Sequence, residues 1–229
     1  RILKKAVSLG KNARELYLAD MKKISEIGGP HSLMITCADS RLAPFKFLNL
    51  QPGSMFIARN PGNFLSISPD QIKDVKTENS IPGMIDLACT KFTVKNIIVC
   101  GHSDCKAINL LNELAKEDIN ELRPGVHKKP IENWVCRHGA DLYKTHVNEK
   151  GNYVFNHEWS DSFELEVDSA LDEVDRISQI NTLHQLANLN NYIGQESSLK
   201  NLGISTNAMW FDVRNAFTFL YDREMKRFT

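Results

Sequence analysis

Two short clusters in the chain combine residue types that metal and proton chemistry require. The first is Cys37-Ala38-Asp39-Ser40-Arg41, the second Gly101-His102-Ser103-Asp104-Cys105. Thiolate sulfur and imidazole nitrogen are the donors Zn²⁺ favours in tetrahedral sites. Cys37, His102 and Cys105 would give such an ion three ligands and leave the fourth position open, the arrangement of a catalytic rather than a structural metal. Either cluster alone carries little weight. A Cys at a strand end is commonly just a small buried residue, and a His and a Cys three apart occur by chance. The combination with Asp39 and Arg41 is stronger, because a guanidinium can grip a carboxylate through a forked, charge-assisted pair and keep it ionised and aimed. The bland alternative for that pair is an ordinary ion pair at a loop.

Only the fold can bring clusters so far apart in sequence into one site. Residues 32–37 (SLMITC) are a short apolar run that fits a buried strand. Residues 55–58 are a second, opened by Pro52-Gly53 and closed by Arg59-Asn60-Pro61-Gly62, and residues 96–100 are a third. Each cluster therefore stands where a strand ends. Helical spacing follows in 81–92 (Ile81, Met84, Ile85, Ala88) and after Cys105 (Ala107, Ile108, Leu111, Leu114). The polar stretch 116–130 reads as a surface loop, 131–147 as a helix, and the region around Gly151 as a second loop. The longest helix is expected within 162–190, with Val167, Ala170, Leu171, Val174 and Ile177 as its stripe and the acidic residues from Glu164 to Asp175 as a solvated face. Residues 208–213 and 217–221 flank Arg214-Asn215 and read as a hairpin.

The first thirty residues also read as helix, with Ala13, Leu16, Tyr17, Met21 and Ile24 at helical spacing and Gly28-Gly29-Pro30 as its stop. The reading is thus an α/β fold: a mostly parallel central β-sheet flanked by helices, an N-terminal helical arm and a C-terminal antiparallel hairpin. Residues 1–30 form the arm, suited to packing on a partner subunit, and 31–229 the metal-binding α/β domain. In such sheets ligands gather at the carboxyl ends of the strands, near a topological switch point.

Composition narrows the partners. The 229 residues balance 28 basic against 28 acidic side chains, so nothing in the total points to nucleic acid or a membrane surface, and the substrate is expected to be small. No apolar run approaches the ~20 residues of a membrane-crossing helix, so no membrane insertion is expected. Five cysteines, Cys37, Cys89, Cys100, Cys105 and Cys136, are too few and too uneven for a secreted disulfide scaffold. An intracellular, reducing location is expected. Residue 1 is Arg, which reads as a processed or truncated start, so mitochondrion and cytoplasm both stay open.

The Cys-x-Asp-Ser-Arg and His-x-x-Cys motifs together resemble the signature of the β-class carbonic anhydrases, and the resemblance runs through most of the chain. Residues 53–63 (GSMFIARNPGN) look like the family's strand and turn after the first motif. Residues 96–111 (NIIVCGHSDCKAINLL) look like the animal branch, with Lys106 where bacterial and plant members usually carry Gly. The resemblance is weakest over 116–160. It implies reversible hydration of carbon dioxide to bicarbonate and a proton, with one Zn²⁺ per chain on Cys37, His102 and Cys105. In that chemistry a zinc-bound hydroxide, oriented by the Asp39–Arg41 dyad, attacks CO₂. In some members the counterpart of Asp39 moves onto zinc at low pH and switches the enzyme off, and the same is expected here.

The resemblance further implies an apolar substrate niche lined by Phe56, Pro61 and Leu87. Leu87 stands in place of a Tyr, and Gly28 in place of a substrate-binding Gln, of many members. A homodimer or higher homo-oligomer is implied too. Other residues take plainer readings. Cys89, Cys100 and Cys136 are packing residues, and His31, His127, His138, His146, His157 and His184 are surface or capping groups. Ser103 and Asp104 cap the following helix. Asn60 and Gly62 shape a turn beside the site, and Arg59 pairs at a subunit interface. Rival functions fit less well: no Gly-x-Gly-x-x-Gly follows a strand and no Cys-x-x-Cys occurs. A non-catalytic zinc or bicarbonate-sensing module would be favoured by loss of the Asp39–Arg41 pair, which is intact, and a hydrolase of CO₂ analogues would share every ligand.

Overall fold

The computed structural model describes residues 2, 4, 10–26, 28–65, 67, 80–156 and 161–229. Helix α1 spans Lys11–Glu26, strand β1 Ser32–Cys37, the short helix α2 Pro44–Phe47 and strand β2 Met55–Asn60. Helix α3 (Ser80–Asp86) runs into a π turn over Leu87–Lys91 and is followed by β3 (Asn96–His102) and α4 (Lys106–Asp118). After α5 (Pro130–Gly139) come β4 (His146–Val147), β5 (Tyr153–Phe155), β6 (Phe163–Leu165) and the long helix α6 (Glu173–Gln195). Strands β7 (Ser205–Asp212), β8 (Phe217–Asp222) and β9 (Arg227–Phe228) close the chain.

The main sheet has the order β2-β1-β3-β7-β8-β9. Its first four strands are parallel, and β8 and β9 are added antiparallel, so the expected C-terminal hairpin is present. The chain leaves β1 to one side to make β2 and returns on the other side to make β3, which places a topological switch point between β1 and β3. Five of the six β1 residues are buried, as expected of an inner parallel strand covered on both faces. The hydroxyl of Thr36 donates to the carbonyl of Cys100 at 2.8 Å and ties the two strands just below their ends.

Helix α6 lies against β3 and β7 and departs from the sequence reading. It begins at Glu173, and Val167, Ala170 and Leu171 precede it. Residues 163–165 pair instead with β5, Phe155 facing Phe163 across the ladder in a second, three-stranded antiparallel sheet. The helix starts where Asp172 accepts a hydrogen bond from the amide of Asp175 at 2.9 Å, a side-chain cap. The expected helix over 131–147 likewise stops at Gly139, and Ala140–Lys144 tighten into a 3₁₀ turn before β4. Of the expected arm, the described helix is Lys11–Glu26; Ile24 near its end lies against Gly53, while Leu16, Tyr17 and Leu18 are exposed.

Candidate metal centre

The two loops that carry the candidate ligands meet at the switch point. Cys37 is the last residue of β1 and His102 the last of β3, and the register sets Thr36 opposite Cys100. Cys105 follows within one turn as the N-terminal cap residue of α4. The donor atoms of Cys37, His102 and Cys105 all lie within 4.8 Å of one another, with the two sulfurs 3.9 Å apart. All three side chains are buried, at 5%, 0% and 1% exposure, so water does not compete for them.

The ring of His102 is prepared for a ligand's role. Its Nδ1 lies 2.8 Å from the carbonyl of Ser103, which can only accept, so Nδ1 carries the proton. Nε2 is then left with its lone pair, buried and without a hydrogen-bond partner. An unpaired buried acceptor is costly, and metal-binding histidines are typically fixed by just such a bond at the other nitrogen. Ser178 donates to the backbone carbonyl of His102 at 2.7 Å, and Trp210 donates to Ser178 at 3.1 Å, so the strand end is held by α6 and β7.

The sulfurs show matching electrostatics. Cys37 is lowered to about 4, first because the Cys105 thiol donates to it, with His102 and the Gly62 amide adding to this against the cost of burial. Cys105 is pushed well up by that same donated hydrogen bond and by burial, against the amides of Ile108 and Ala107 at the start of α4. The pair therefore shares one proton, and a bound dication would release it. The donor set fits zinc: two sulfurs, one nitrogen, buried, with an orphaned lone pair aimed at the gap.

The turn after β2 supplies the Gly62 amide, 3.4 Å from the Cys37 sulfur. Gly62 has φ +86°, and a Cβ there would lie 2.5 Å from the Phe64 ring, so glycine is required at that contact. Asn60 brackets the turn, accepting from the Phe64 amide at 2.9 Å and donating to its carbonyl at 2.7 Å. Trp134 holds the carbonyl of Pro61, and the buried Asn181 that of Gly62.

Asp39 and Arg41, in the loop that follows Cys37, form a forked pair. Arg41 Nε and Nη2 donate to the two carboxylate oxygens at 3.0 and 2.7 Å, and the Arg41 amide adds a third bond at 2.9 Å. These contacts hold the Asp39 carboxyl at about 2, below the ordinary range, and raise the Arg41 guanidinium. Asp104 takes Arg41 Nη1 at 2.7 Å and Lys106 at 2.7 Å.

A family profile described as carbonic anhydrase matches residues 32–217. A curated relative named beta carbonic anhydrase 1, from Caenorhabditis elegans, is 30% identical over all of this chain and 86% of its own length. The chain belongs to the β-class carbonic anhydrases.

The beta carbonic anhydrase 1 of Caenorhabditis briggsae is 28% identical with the same coverage. Among solved structures, the beta-carbonic anhydrase CcaA has the same fold, with a TM-score of 0.65 at 21% identity over 100% of this chain and 87% of that one. A tetrameric β-carbonic anhydrase of Sordaria macrospora gives 0.59 at 23% identity over 96% of each chain. As a β-class carbonic anhydrase the chain is an enzyme, a carbonate dehydratase of the lyase class, acting on CO₂, and its Cys-His-Cys group is compatible with the zinc that this class uses.

The structure gives the following positions for the other expected residues. Pro61 lies in the turn against the Cys37 sulfur, between Asn60 and Gly62. Phe56 pairs with Leu33, four residues short of the level of Cys37 and Asn60, or roughly 13 Å along the strand, and packs on Phe92. Leu87 is 42% exposed and lines an open cavity of about 360 Å³ with Ile57, Ala58, Arg59 and Met84, which none of the three ligands borders. Arg59, expected at a subunit contact, is engaged within the chain, donating to the carbonyls of Cys37 and Asp39 at 2.9 and 2.5 Å. Ser103 and Asp104 do not cap α4: Ser103 donates to Asp212 at 2.8 Å, and the cap residue, Cys105, makes no side-chain cap bond. Cys89, Cys100 and Cys136 are buried, with burial raising all three thiols, Cys100 to about 12. His157 lies outside the described residues.

Asp175, expected on a solvated face, is fully buried. Its Oδ1 accepts the Asp104 amide at 2.7 Å, and its other oxygen takes Arg214. A signal for its position existed in the Asp172-x-x-Asp175 spacing of a helix start.

Proposed function

We propose that the chain hydrates carbon dioxide reversibly at one zinc ion held by Cys37, His102 and Cys105, with Asp39 and Arg41 orienting the reacting water. The observation that carries this reading is the bare Nε2 of His102, buried beside two sulfurs within 4.8 Å. Bound there, zinc supplies water acidified toward neutral pH and a Lewis acid for the substrate oxygen. Two thiolates bring two negative charges to the ligand set, so the site leans on a further ionised carboxylate to accept a hydrogen bond from the reacting water. Asp39 suits that task. Its Oδ1 already receives two donors, while Oδ2 receives one and keeps a lone pair to spare. Arg41 keeps the carboxylate ionised, so Asp39 accepts without taking the proton.

The niche for CO₂ is assigned to Pro61, Phe56 and Leu87. Pro61 stands at its own chain's ligand loop, whereas Phe56 and Leu87 would serve the site when a second copy brings them to it. A homodimer or higher homo-oligomer is accordingly part of the proposal, with residues 1–30 as the arm that packs on the partner and 31–229 as the catalytic domain. The exposed Leu16, Tyr17 and Leu18 of α1 support it. Lys106 supports placement in the animal branch. An intracellular site, mitochondrial or cytoplasmic, is supported by the free cysteines, since both ligand thiols must stay reduced. No helix among the described residues is long and apolar enough to cross a membrane.

Zinc content and stopped-flow CO₂ hydration on one sample, from about pH 6.5 to 9, test the reading. About one zinc per chain and a rate that rises with pH are expected. Zinc without hydration at any pH would turn the reading toward a sensing module, and a zinc-free protein that cannot be loaded would remove the site.

A further inference from the structure

We propose that Asp104 is a positioning residue for the dyad, anchoring Arg41 so that Arg41 holds Asp39 in place; this rests on the Asp39–Arg41 role proposed above. Asp39 and Arg41 belong to the same loop after β1, and the Arg41 side chain is 42% exposed. A pair made within one exposed loop can swing away from the metal as a unit. Arg59 holds the backbone of that loop at the carbonyls of Cys37 and Asp39, but the Arg41 side chain needs its own fixed point, and Asp104 provides it from the loop that carries His102 and Cys105. Its Oδ2 accepts from Arg41 Nη1 at 2.7 Å, and its backbone carbonyl accepts from Nη2 at 3.0 Å. Arg41 thereby cross-links the two ligand loops.

Asp104 is itself held from behind. Its backbone is left-handed, φ +52°, a conformation Asp and Asn accept more readily than other side chains with a Cβ. The amide that this turn directs inward is taken by Oδ1 of the fully buried Asp175 at 2.7 Å. Asp175 sits in the first turn of α6, where its own amide donates to Asp172, and both carboxylates receive Arg214. Lys106 completes the arrangement by pairing with the second oxygen of Asp104 at 2.7 Å, so that each oxygen meets one cation. The run Asp39, Arg41, Asp104, Lys106 alternates in sign, and its Asp104 member rests through its backbone on the buried Asp175. An isolated surface ion pair has no such backing.

The test is a double-mutant cycle of Asp104→Asn with Arg41→Ala, read by zinc content, melting temperature and the kcat and KM of CO₂ hydration. Asn keeps the shape and the left-handed backbone but offers one oxygen to two cations. Asp104→Asn is expected to retain zinc and melting temperature, with kcat down roughly tenfold, the low end for partners that orient a metal site, and KM little changed. The Arg41 Nε–H is expected to exchange with solvent faster in the variant. In the Arg41→Ala background the same substitution is expected to change kcat by less than about twofold, because its effect passes through Arg41. Independent, multiplying effects, or loss of zinc from Asp104→Asn alone, would overturn the inference. An Asp104→Asn protein as fast as the parent, beside a slowed Arg41→Ala, would overturn this inference and leave the dyad standing. An unslowed Arg41→Ala would overturn the dyad reading and this one together.

Discussion

At the residue scale, the site is a set of polar groups each positioned by a named neighbour. The Ser103 carbonyl fixes the proton of His102 on Nδ1, and the two cysteines share a single proton between them. Cys105→Ser is expected to lose zinc and hydration together, because a hydroxyl does not deliver a thiolate's charge; a full zinc complement in that variant would refute the ligand set. Asp39→Asn is expected to keep zinc and lose roughly 10²-fold in rate, the upper end for a partner that orients groups at a metal site. The depressed carboxyl of Asp39 also has a linkage sign. Its folded value, about 2, lies below the unfolded value near ~3.9, so its contribution to stability is present above the latter and lost as pH falls through the former. A carboxyl-carbon NMR titration of the zinc-free protein is expected to place Asp39 near the lower value and to return it to the ordinary carboxylate range in Arg41→Ala.

At the scale of elements, α6 is the support on which the site is assembled. It reaches the His102 carbonyl through Ser178, the Gly62 carbonyl through Asn181 and the Asp104 amide through Asp175. Such contact requires close approach to β3. A Cβ on Gly101 would lie 2.0 Å from the hydroxyl of Thr182 and 3.2 Å from the Trp210 ring. Gly101→Ala is therefore expected to cost about 1–3 kcal/mol by overpacking, with part of that recovered by adding Thr182→Ala; denaturant melts of both proteins read it. Asp172→Ala, which removes the cap of α6, is expected to cost about 1 kcal/mol, and an unchanged stability would mean the cap is replaced by water. The buried polar side chains of α6 explain why its true stripe was hard to read. Ser178, Asn181, Thr182 and Gln185 face the core, so the buried face does not read as apolar, and the helix could be drawn too early from Val167, Ala170 and Leu171.

At the scale of the whole molecule, the sheet order sets the ligand loops side by side, while α1 and the exposed Leu87 and Phe92 leave apolar surface uncovered in the single chain. Light scattering at micromolar concentration is expected to give the mass of at least two chains, and removal of residues 1–26 is expected to lower it; a parent mass of one chain would refute the assembly. The sequence by itself determined the chemistry and its address. Sulfur and imidazole donors, and a carboxylate followed two residues later by a guanidinium, have intrinsic affinities that need no coordinates to state, and short apolar strands ending at those residues already place them at a sheet's carboxyl edge. Only the tertiary structure decided what fixes them. That Asp175 is buried, that Arg59 turns inward to two carbonyls, and that Phe56 lies well below its own chain's ligands all depend on packing between segments distant in sequence, to which local pattern and spacing are blind.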